Sequence, residues 1–372
     1  MNNTALGNGI EGIFAEEAIK GCSDSQKPRL GYTCTYVPTE ILEAAGFIPV
    51  RIAPEPSSEK ADSFLDPNFC PYVRACLGKA MQGGYEDLVG IVIANACDGM
   101  RRLLDAWRYY VPNRPAFFLD LPRVVNALAV DYFKRQLTRL VNELQQNFKV
   151  QVTRDSLIRA ISETNRTRRL YETLLSHQVR KALALPYSKL LGIFQKEHDM
   201  RRQSFNEVLE KIIQTQSRGR VTDHEGVGVF ITGSMLDGDS IITLVEGLGG
   251  DIVGVDCCMA ERRVENVPLD HDLLRALSDS YLKKLPCARM KDTQKRIEYL
   301  LAKMKGSGGQ GLIYTALKFC DPYLYEFPYL KAELQRWGIP SLFLEGEYRG
   351  RAGGGLRTRV QAFVEMLEKK RS

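Results

Sequence analysis

Two apolar runs, far apart in the chain, constrain the fold more than any other feature. The first, Leu88–Ala94, is short and rich in β-branched residues, and Cys97 and a helical pattern follow it. The second, Gly311–Leu317, leads in the same way to Cys320. Each run predicts a buried parallel strand that turns into a helix. The turn places a thiol at a helix amino end, where free N–H groups favour a thiolate.

Strand and helix patterns alternate around both runs. The alternation covers residues 28–123 and returns in residues 221–372. It predicts an α/β fold with two doubly wound parallel-sheet (Rossmann-like) domains, whose first strand is expected to cross Cys34. Residues 124–220 carry apolar residues three and four positions apart, which predicts a helical segment between the domains. Residues 1–27 are expected to form a helical lead-in.

Composition and short motifs exclude several classes of protein. A chain of 372 residues with 44% hydrophobic content can bury more than one core. The net charge of +6 is modest and its basic residues are spread along helices, so no nucleic-acid partner is expected. No run is long enough to span a membrane and no signal peptide is evident, which predicts a cytoplasmic protein. The glycine-rich stretches 7–12 and 306–311 lack the context of a nucleotide-binding loop.

Nine cysteines are unexpected in a cytoplasmic chain, because disulfides do not persist there and metal binding or catalysis becomes the better explanation. Six of them fall in the same order in the two α/β halves, which suggests an internal repeat. They are Cys34, Cys70 and Cys97 in the first half, and Cys258, Cys287 and Cys320 in the second. Ligands of open α/β sheets bind at the carboxyl edge, so six thiols facing one cleft would make a soft metal site.

A free cysteine is also a common small hydrophobe of protein cores. We assign that interpretation to Cys22, Cys76 and Cys257, because none of them has a counterpart in the other half. Zinc is disfavoured because there is no C-x-x-C pair and no histidine near a cysteine in the sequence. The histidines are His177, His198, His224 and His271. All-thiolate ligation without such pairs favours an iron–sulfur cluster.

Longer motifs carry a resemblance to a known family. Residues 31–40 and 44–51 resemble the 2-hydroxyacyl-CoA dehydratase and benzoyl-CoA reductase subunits. The Cys97-Asp98-Gly99 and Phe319-Cys320-Asp321 stretches and the closing residues 358–367 extend the resemblance over nearly the whole chain. A third cysteine in each half is similar to the double-cubane cluster proteins of this family. Glu347 and Gly355 depart from the family pattern, which often has aspartate and glutamine there.

The resemblance implies a cofactor and partners. The six paired cysteines match the ligands of an 8Fe–9S double-cubane cluster, with Cys258 favoured over the adjacent Cys257. A separate ATP-hydrolysing iron–sulfur activator would reduce the cluster, and the chain, expected to be a homodimer, would then reduce a small molecule. One alternative is a 2-hydroxyacyl-CoA dehydratase subunit with a single 4Fe–4S cluster. Another, from a different class, is a non-catalytic protein that uses its thiols for metal binding or electron storage.

Three acidic residues stand near the predicted thiol site. Glu40, just after Cys34, is the candidate catalytic proton donor, and the alternative is a first-turn carboxylate that complements the helix dipole. Asp98 and Asp321 each follow a cysteine at a predicted helix start. We interpret both as helix caps, since aspartate is a preferred capping residue.

Overall fold

The computed structural model describes eight segments of the chain, and all structural statements below refer to them. They are residues 9–15, 27–54, 61–179, 185–198, 200–216, 226–236, 240–348 and 354–371. Within these segments eight strands form two four-stranded sheets in which every neighbouring pair is parallel. The predicted α/β class is therefore confirmed, whereas the domain boundaries stay a prediction.

The first sheet has the strand order β2-β1-β3-β4. Its strands are β1 (Arg29–Tyr32), β2 (Ile48–Arg51), β3 (Leu88–Ala94) and β4 (Ala116–Leu119). Its helices are α2 (Thr39–Ala44), α3 (Pro71–Met81) and α4 (Asp98–Tyr110), with a short 3₁₀ helix at Ala61–Ser63. A separate helix, α1, occupies residues 9–15.

The second sheet has the order β6-β5-β7-β8, so it repeats the order of the first. Its strands are β5 (Val227–Gly233), β6 (Gly250–Asp256), β7 (Gly311–Leu317) and β8 (Ser341–Gly346). The helices of this half are α9 (Ser240–Gly247), α10 (Leu273–Lys283), α11 (Thr293–Gly306), α12 (Asp321–Arg336) and α13 (Gly354–Arg371). The shared order confirms the internal repeat of the fold.

Four helices lie between the two sheets in the sequence, as the apolar periodicity predicts. They are α5 (Ala127–Phe148), α6 (Arg154–Val179), α7 (Tyr187–Gln195) and α8 (Arg202–Gln216), with a 3₁₀ turn at Lys196–His198. The side chain of Asn126 caps α5 by accepting a hydrogen bond of 2.8 Å from the N–H of Ala129. None of the helices in the described segments is both long and apolar enough to cross a membrane.

Both faces of each sheet are covered, which explains the continuous apolar runs. In β3, Val92 belongs to a core that includes residues of α5, whereas Ile91 lies in a second core with α3 and α4. The first of these cores also contains Phe230 of β5 and Tyr314 of β7. The two sheets are therefore joined by shared apolar packing. A third core covers the other face of the second sheet.

The topology corrects two local expectations. Strand β1 ends at Tyr32, so Cys34 lies in the following turn, which closes when the N–H of Val37 donates to the Cys34 carbonyl at 3.0 Å. The pairing of Cys34 with Cys258 as repeat counterparts is also wrong. Cys34 follows β1, the counterpart of β5, whereas Cys258 follows β6, the counterpart of β2.

Candidate metal centre

Three of the six predicted ligands stand immediately before helices. Cys70, Cys97 and Cys320 are the N-cap residues of α3, α4 and α12. We call them the helix-start cysteines. All three side chains are partly exposed. The first N–H groups of a helix have no partner within the helix and carry partial positive charge, so each of these sites favours a thiolate.

Cys70 shows this effect most clearly. Its pKa lies below the ordinary value, first because its thiol is hydrogen-bonded to that of Cys320. Burial opposes the shift, while the backbone N–H groups of Tyr72 and Val73 and the charge of Arg74 add to it. The Cys320 thiol and the start of α3 therefore together favour the thiolate form of Cys70.

The other two helix-start cysteines have raised pKa values, because burial and neighbouring thiols outweigh the backbone N–H groups. Burial raises the pKa of Cys97 to about 11, and the charges of Cys70 and Cys34 add to the shift while the N–H groups of Met100 and Gly99 oppose it. The pKa of Cys320 is well above its usual range, first through its hydrogen bond with Cys70 and then through burial. A bound cation would lower the pKa values of both thiols and favour their thiolate forms.

Asp98 and Asp321 do not cap these helices, which corrects the sequence interpretation. Each is the first residue inside its helix, and the capping position belongs to the preceding cysteine. Both aspartates are exposed. At the first turn an exposed carboxylate complements the helix dipole without closing over the adjacent thiol.

The remaining three predicted ligands lie among basic side chains. Cys34, Cys258 and Cys287 follow β1, β6 and α10, and we call them the basic-pocket cysteines. The Sγ atom of Cys258 lies 3.6 Å from Nη1 of Arg262. Burial would raise the pKa of Cys258, but the charges of Arg262, Arg51 and Lys284 lower it below the ordinary value. Here side-chain cations favour the thiolate form, as backbone N–H groups do for the helix-start cysteines.

Cys287 completes the basic pocket. Burial raises its pKa, the charge of Arg262 opposes the shift, and the nearby Cys258 and Cys34 raise it further. Cys34 also raises the pKa of Cys97, so it influences a member of each group. That all six cysteines share one site stays a prediction.

Arg262 is a fixed cation in this site. Its side chain is fully buried, and it donates to the carboxylate of Asp256 at 2.8 and 3.1 Å and to the hydroxyl of Tyr323. Arg296 donates to the same carboxylate at 2.9 Å. Burial would raise the pKa of Asp256, but the two guanidinium groups hold it far below its usual range. The carboxylate is therefore always charged, and it orients Arg262 toward Cys258.

The loop that carries Cys287 is tied to the first half on both sides. Nζ of Lys284 donates to the carbonyl oxygen of Thr35 at 2.8 Å and to its hydroxyl at 2.7 Å. Arg289 donates to backbone carbonyls at the carboxyl ends of β3 and β4. These belong to Asn95 (3.3 Å), Ala96 (3.2 Å), Leu121 (3.2 Å) and Pro122 (3.0 Å). The two cations hold the halves together at the thiol site.

Two of the three cysteines with a structural interpretation lie in apolar cores. Cys76 and Cys257 are fully buried, each within an apolar core. Burial raises the pKa of Cys257 to about 12 and that of Cys76 still further. Cys258 rather than Cys257 therefore faces the basic pocket. Cys22 lies outside the described residues.

The arrangement of the thiols does not suit a single metal ion. Among the described residues, no group of three or more histidine, cysteine, aspartate or glutamate side chains is close enough to hold one ion. A single tetrahedral ion needs all its ligands about 2.3 Å from one point, whereas a cluster spreads its thiolates over several irons.

Two buried polar groups beside the basic pocket offer a second test of fit. Within the described part of the chain, Nε and Nη1 of Arg51 and the hydroxyl of Tyr36 have no hydrogen-bond partner. The pKa of Tyr36 is raised well above its usual range, first by burial and then by the charges of Cys287 and Cys34. Buried donors are normally satisfied, and the sulfides of a cluster are acceptors. The residues present fit an anionic metal–sulfur group.

Glu40 lies in a buried ion pair. Its side chain is fully inaccessible, Oε1 accepts from Arg168 at 2.5 Å, and Oε2 accepts from the hydroxyl of Tyr281 at 2.7 Å. These contacts fix the carboxylate and account for its burial at the first turn of α2. Its role as the proton donor stays a prediction.

A cavity of about 470 Å³ lies at the carboxyl ends of β5, β7 and β8. Met235, Thr315 and Leu317 belong to its lining, and so do Glu347 and Gly355, the two departures from the family pattern. Glu347 forms ion pairs with Lys318 at 3.0 Å and with Arg74 of α3 at 3.6 Å. Sδ of Met235 lies 3.9 Å from Nη2 of Arg51, so the cavity borders the basic pocket. This volume is in the range of small-molecule sites.

The sequence analysis missed the cations of the site. Arg262, Lys284 and Arg289 lie within four residues of Cys258 or Cys287, and that spacing is the one local signal that was available. Arg51 carries no such signal, since it is 17 residues after Cys34 and reaches the site only through the fold of β2.

The fold defines an α/β protein with two parallel sheets, and cysteines follow strands of both sheets. The sequence matches the model of the family described as "2-hydroxyglutaryl-CoA dehydratase, D-component" over residues 34–367. The chain belongs to this family, as the sequence motifs predicted.

Curated relatives align over nearly their whole length. The (R)-phenyllactyl-CoA dehydratase beta subunit of Clostridium sporogenes is 23% identical over 358 residues, 94% of each chain. The putative dehydratase subunit YjiM of Escherichia coli is 26% identical over 357 residues, 91% of each chain. A benzoyl-CoA reductase subunit of Thauera aromatica is 23% identical over 350 residues, 91% of this chain and 90% of the relative. The family therefore includes both dehydratase and reductase subunits.

Proposed function

We propose that this protein is an iron–sulfur reductase component that uses a double-cubane cluster to reduce a small molecule. The observation that carries the proposal is the position of individual cysteines: Cys97 and Cys320 follow β3 and β7 and begin helices, and Cys258 follows β6 beside Arg262. The carboxyl edge of such sheets is where they bind their ligands. Six thiols, three from each half, would converge there. The cluster would supply electrons at low potential.

The two groups of cysteines suggest how the cluster would be held. Each cubane would take three thiolates, with one on the helix-start cysteines and the other on the basic-pocket cysteines. The first group would be supported by the N–H groups that begin α3, α4 and α12. The second would be supported by the cations of the pocket, chiefly Arg262 at 3.6 Å from Cys258.

The cavity that borders the basic pocket is the proposed substrate site. Its lining is largely apolar, with polar groups at Thr315, Glu347 and Arg359 that can orient a substrate. Arg359 is held by a hydrogen bond of 2.6 Å to the carbonyl oxygen of Phe343. Glu347 forms ion pairs with Lys318 and Arg74 at the same cavity.

Electrons would come from a separate ATP-hydrolysing iron–sulfur activator, and the component itself would be a homodimer in the cytoplasm. The family resemblance supports both partners. The sequence contains no nucleotide-binding loop in a suitable context, which agrees with hydrolysis on another protein.

The alternative is a 2-hydroxyacyl-CoA dehydratase subunit that carries one 4Fe–4S cluster. The names of the dehydratase relatives favour it. In that case one group of three cysteines would suffice for the cluster, with one iron left open. The other three thiols would then be free.

The proposal predicts a dependence on the activator. The chain, purified without oxygen, is mixed with an activator ATPase of this family and a weak chemical reductant, with and without ATP. We expect no ATP hydrolysis by the chain alone, and cluster reduction, followed by EPR, only when activator and ATP are both present. Equal reduction without ATP contradicts the proposed electron supply.

A further inference from the structure

Arg51 is a buried cation whose charge nothing in the described protein balances. It is the last residue of β2, and its exposed fraction is 7%. The guanidinium carbon lies 5.5 Å from the ring centre of Tyr32, and Nη2 lies 3.9 Å from the thioether sulfur of Met235. Neither contact neutralises a full positive charge.

The other buried arginines in the described segments have charged or carbonyl partners, although Nε of Arg74, which pairs with Asp62, has none. Arg262 and Arg296 share the carboxylate of Asp256, and Arg296 also donates to Glu326 at 2.6 Å. Arg289 donates to four backbone carbonyls. For Arg51 no carboxylate lies within ion-pairing distance among these residues, and Nε and Nη1 remain unpartnered. A buried unpaired charge is costly, so its position requires a partner.

The surroundings of Arg51 indicate the chemistry of that partner. Burial would lower its pKa, yet the pKa is raised, because the ionised forms of Tyr72, Cys258 and Cys34 attract the charge. Two of these three groups are basic-pocket cysteines from opposite halves. The nearby Tyr36 hydroxyl is a second buried donor without a partner in the described segments. Arg51 is influenced by Cys258 and Cys34, and Tyr36 by Cys287 and Cys34, so the missing acceptor belongs beside these thiols.

We infer that Arg51 is the counter-charge and hydrogen-bond donor of the metal–sulfur group held by Cys34, Cys258 and Cys287. This inference rests on the proposed function. Nε–H and Nη1–H would donate to its sulfur atoms, and Arg51 would act as a positioning residue, not a ligand. Reduction adds negative charge to such a group, so a nearby buried cation raises its reduction potential.

The inference makes opposite predictions for the two states of the protein. Without the cluster, the unpaired charge destabilises the fold, so Arg51→Met should melt at the same temperature as the unaltered apoprotein or higher. With the cluster, the same substitution removes an attractive partner and should lower the melting temperature. A residue with a merely structural role would lower stability in both states.

The test is a redox titration followed by EPR on protein purified without oxygen. We expect the potential of Arg51→Met to be more negative than that of the unaltered protein, with Arg51→Lys between them because lysine keeps the charge but loses the paired donors. Arg29→Met is the matched control. Arg29 lies on the neighbouring strand β1 at the opposite edge and pairs with Asp87 at 3.2 Å, so its loss should leave the potential unchanged.

The outcomes separate this inference from the proposed function. If the unaltered protein binds a cluster and Arg51→Met keeps the same potential and iron content, the inference is wrong and the function stands. A loss of apoprotein stability in both Arg51→Met and Arg51→Lys, with no change in potential, also overturns it. If the unaltered protein binds no iron, the inference about Arg51 and the proposed function are both wrong.

Discussion

The helix-start cysteines and the basic-pocket cysteines solve the same problem in different ways. Cys70, Cys97 and Cys320 are partly exposed and rely on backbone N–H groups at the starts of three helices. Cys34, Cys258 and Cys287 rely on side-chain cations brought in from several parts of the chain. The backbone N–H groups beside a thiol belong to the helix itself, so replacing a neighbouring side chain does not remove them. Side-chain support depends on single residues, so the two groups should respond differently to mutation.

The largest effect should come from the cysteines themselves. We expect Cys34→Ser, Cys258→Ser and Cys287→Ser each to lower the iron content substantially, and Cys97→Ser and Cys320→Ser to do the same, because serine is a poor ligand for iron–sulfur clusters. Iron analysis of protein purified without oxygen measures the effect. Cys76→Ala, in the apolar core, is the control and should keep its iron.

These variants also distinguish the two kinds of cluster. A double cubane needs both groups, whereas a single 4Fe–4S cluster needs one. Full iron content in all three basic-pocket variants, with loss in the helix-start variants, contradicts the double-cubane proposal and favours the dehydratase alternative.

Arg262→Met should cause the largest loss of stability among the cation variants. It breaks a buried ion pair, which costs about 3 kcal/mol when one partner is removed. Urea denaturation of the reduced apoprotein measures the free energy of unfolding. The control is Arg275→Met, which removes a half-exposed ion pair with Asp131 and should cost less than about 1 kcal/mol. Equal losses in the two variants would mean that Arg262 does not organise the pocket.

Lys284→Met should have an intermediate effect. The variant loses two hydrogen bonds to Thr35 and with them one link between the halves, so the free energy of unfolding should fall by about 1.5 kcal/mol. Its neighbour Lys283 is exposed and pairs with Asp279 one helical turn away. Lys283→Met, the matched control, should cost less than about 0.5 kcal/mol. If both variants lose the same stability, the link to Thr35 contributes nothing.

The smallest effect should come from the acids beside the helix-start cysteines. Asp98→Asn and Asp321→Asn remove exposed charges but leave the backbone N–H groups in place. Each should lower the free energy of unfolding by about 0.5 kcal/mol or less and leave the iron content unchanged. A loss of iron in either variant would show that these side chains, and not the helix ends, support the thiolates.

The sequence predicts the helix-start group well because its signals are local. A strand buried on both faces must be apolar, so β3 and β7 can be recognised in the sequence as continuous apolar runs. The cysteine and the helix follow within a few residues. The prediction of Asp98 and Asp321 as caps is wrong because the N-cap position of each helix is one residue earlier, at the cysteine.

The basic pocket is harder to predict because its contacts join distant residues. Lys284 and Thr35 are 249 positions apart, and Arg51 and Met235 are 184 apart. The pairing of Cys34 with Cys258 fails for a related reason. Counting cysteines in order cannot show that the second half places its first ligand after β6 and not after β5. No local pattern encodes either feature.

Metal analysis tests the central claim most directly: that six thiols, three from each half, hold one iron–sulfur group. The full chain is purified without oxygen, and iron, acid-labile sulfide and zinc are measured per chain. The double-cubane proposal predicts about eight irons with matching sulfide and little zinc. About four irons would support the dehydratase alternative, and one zinc without charge-transfer absorbance would contradict an iron–sulfur centre altogether.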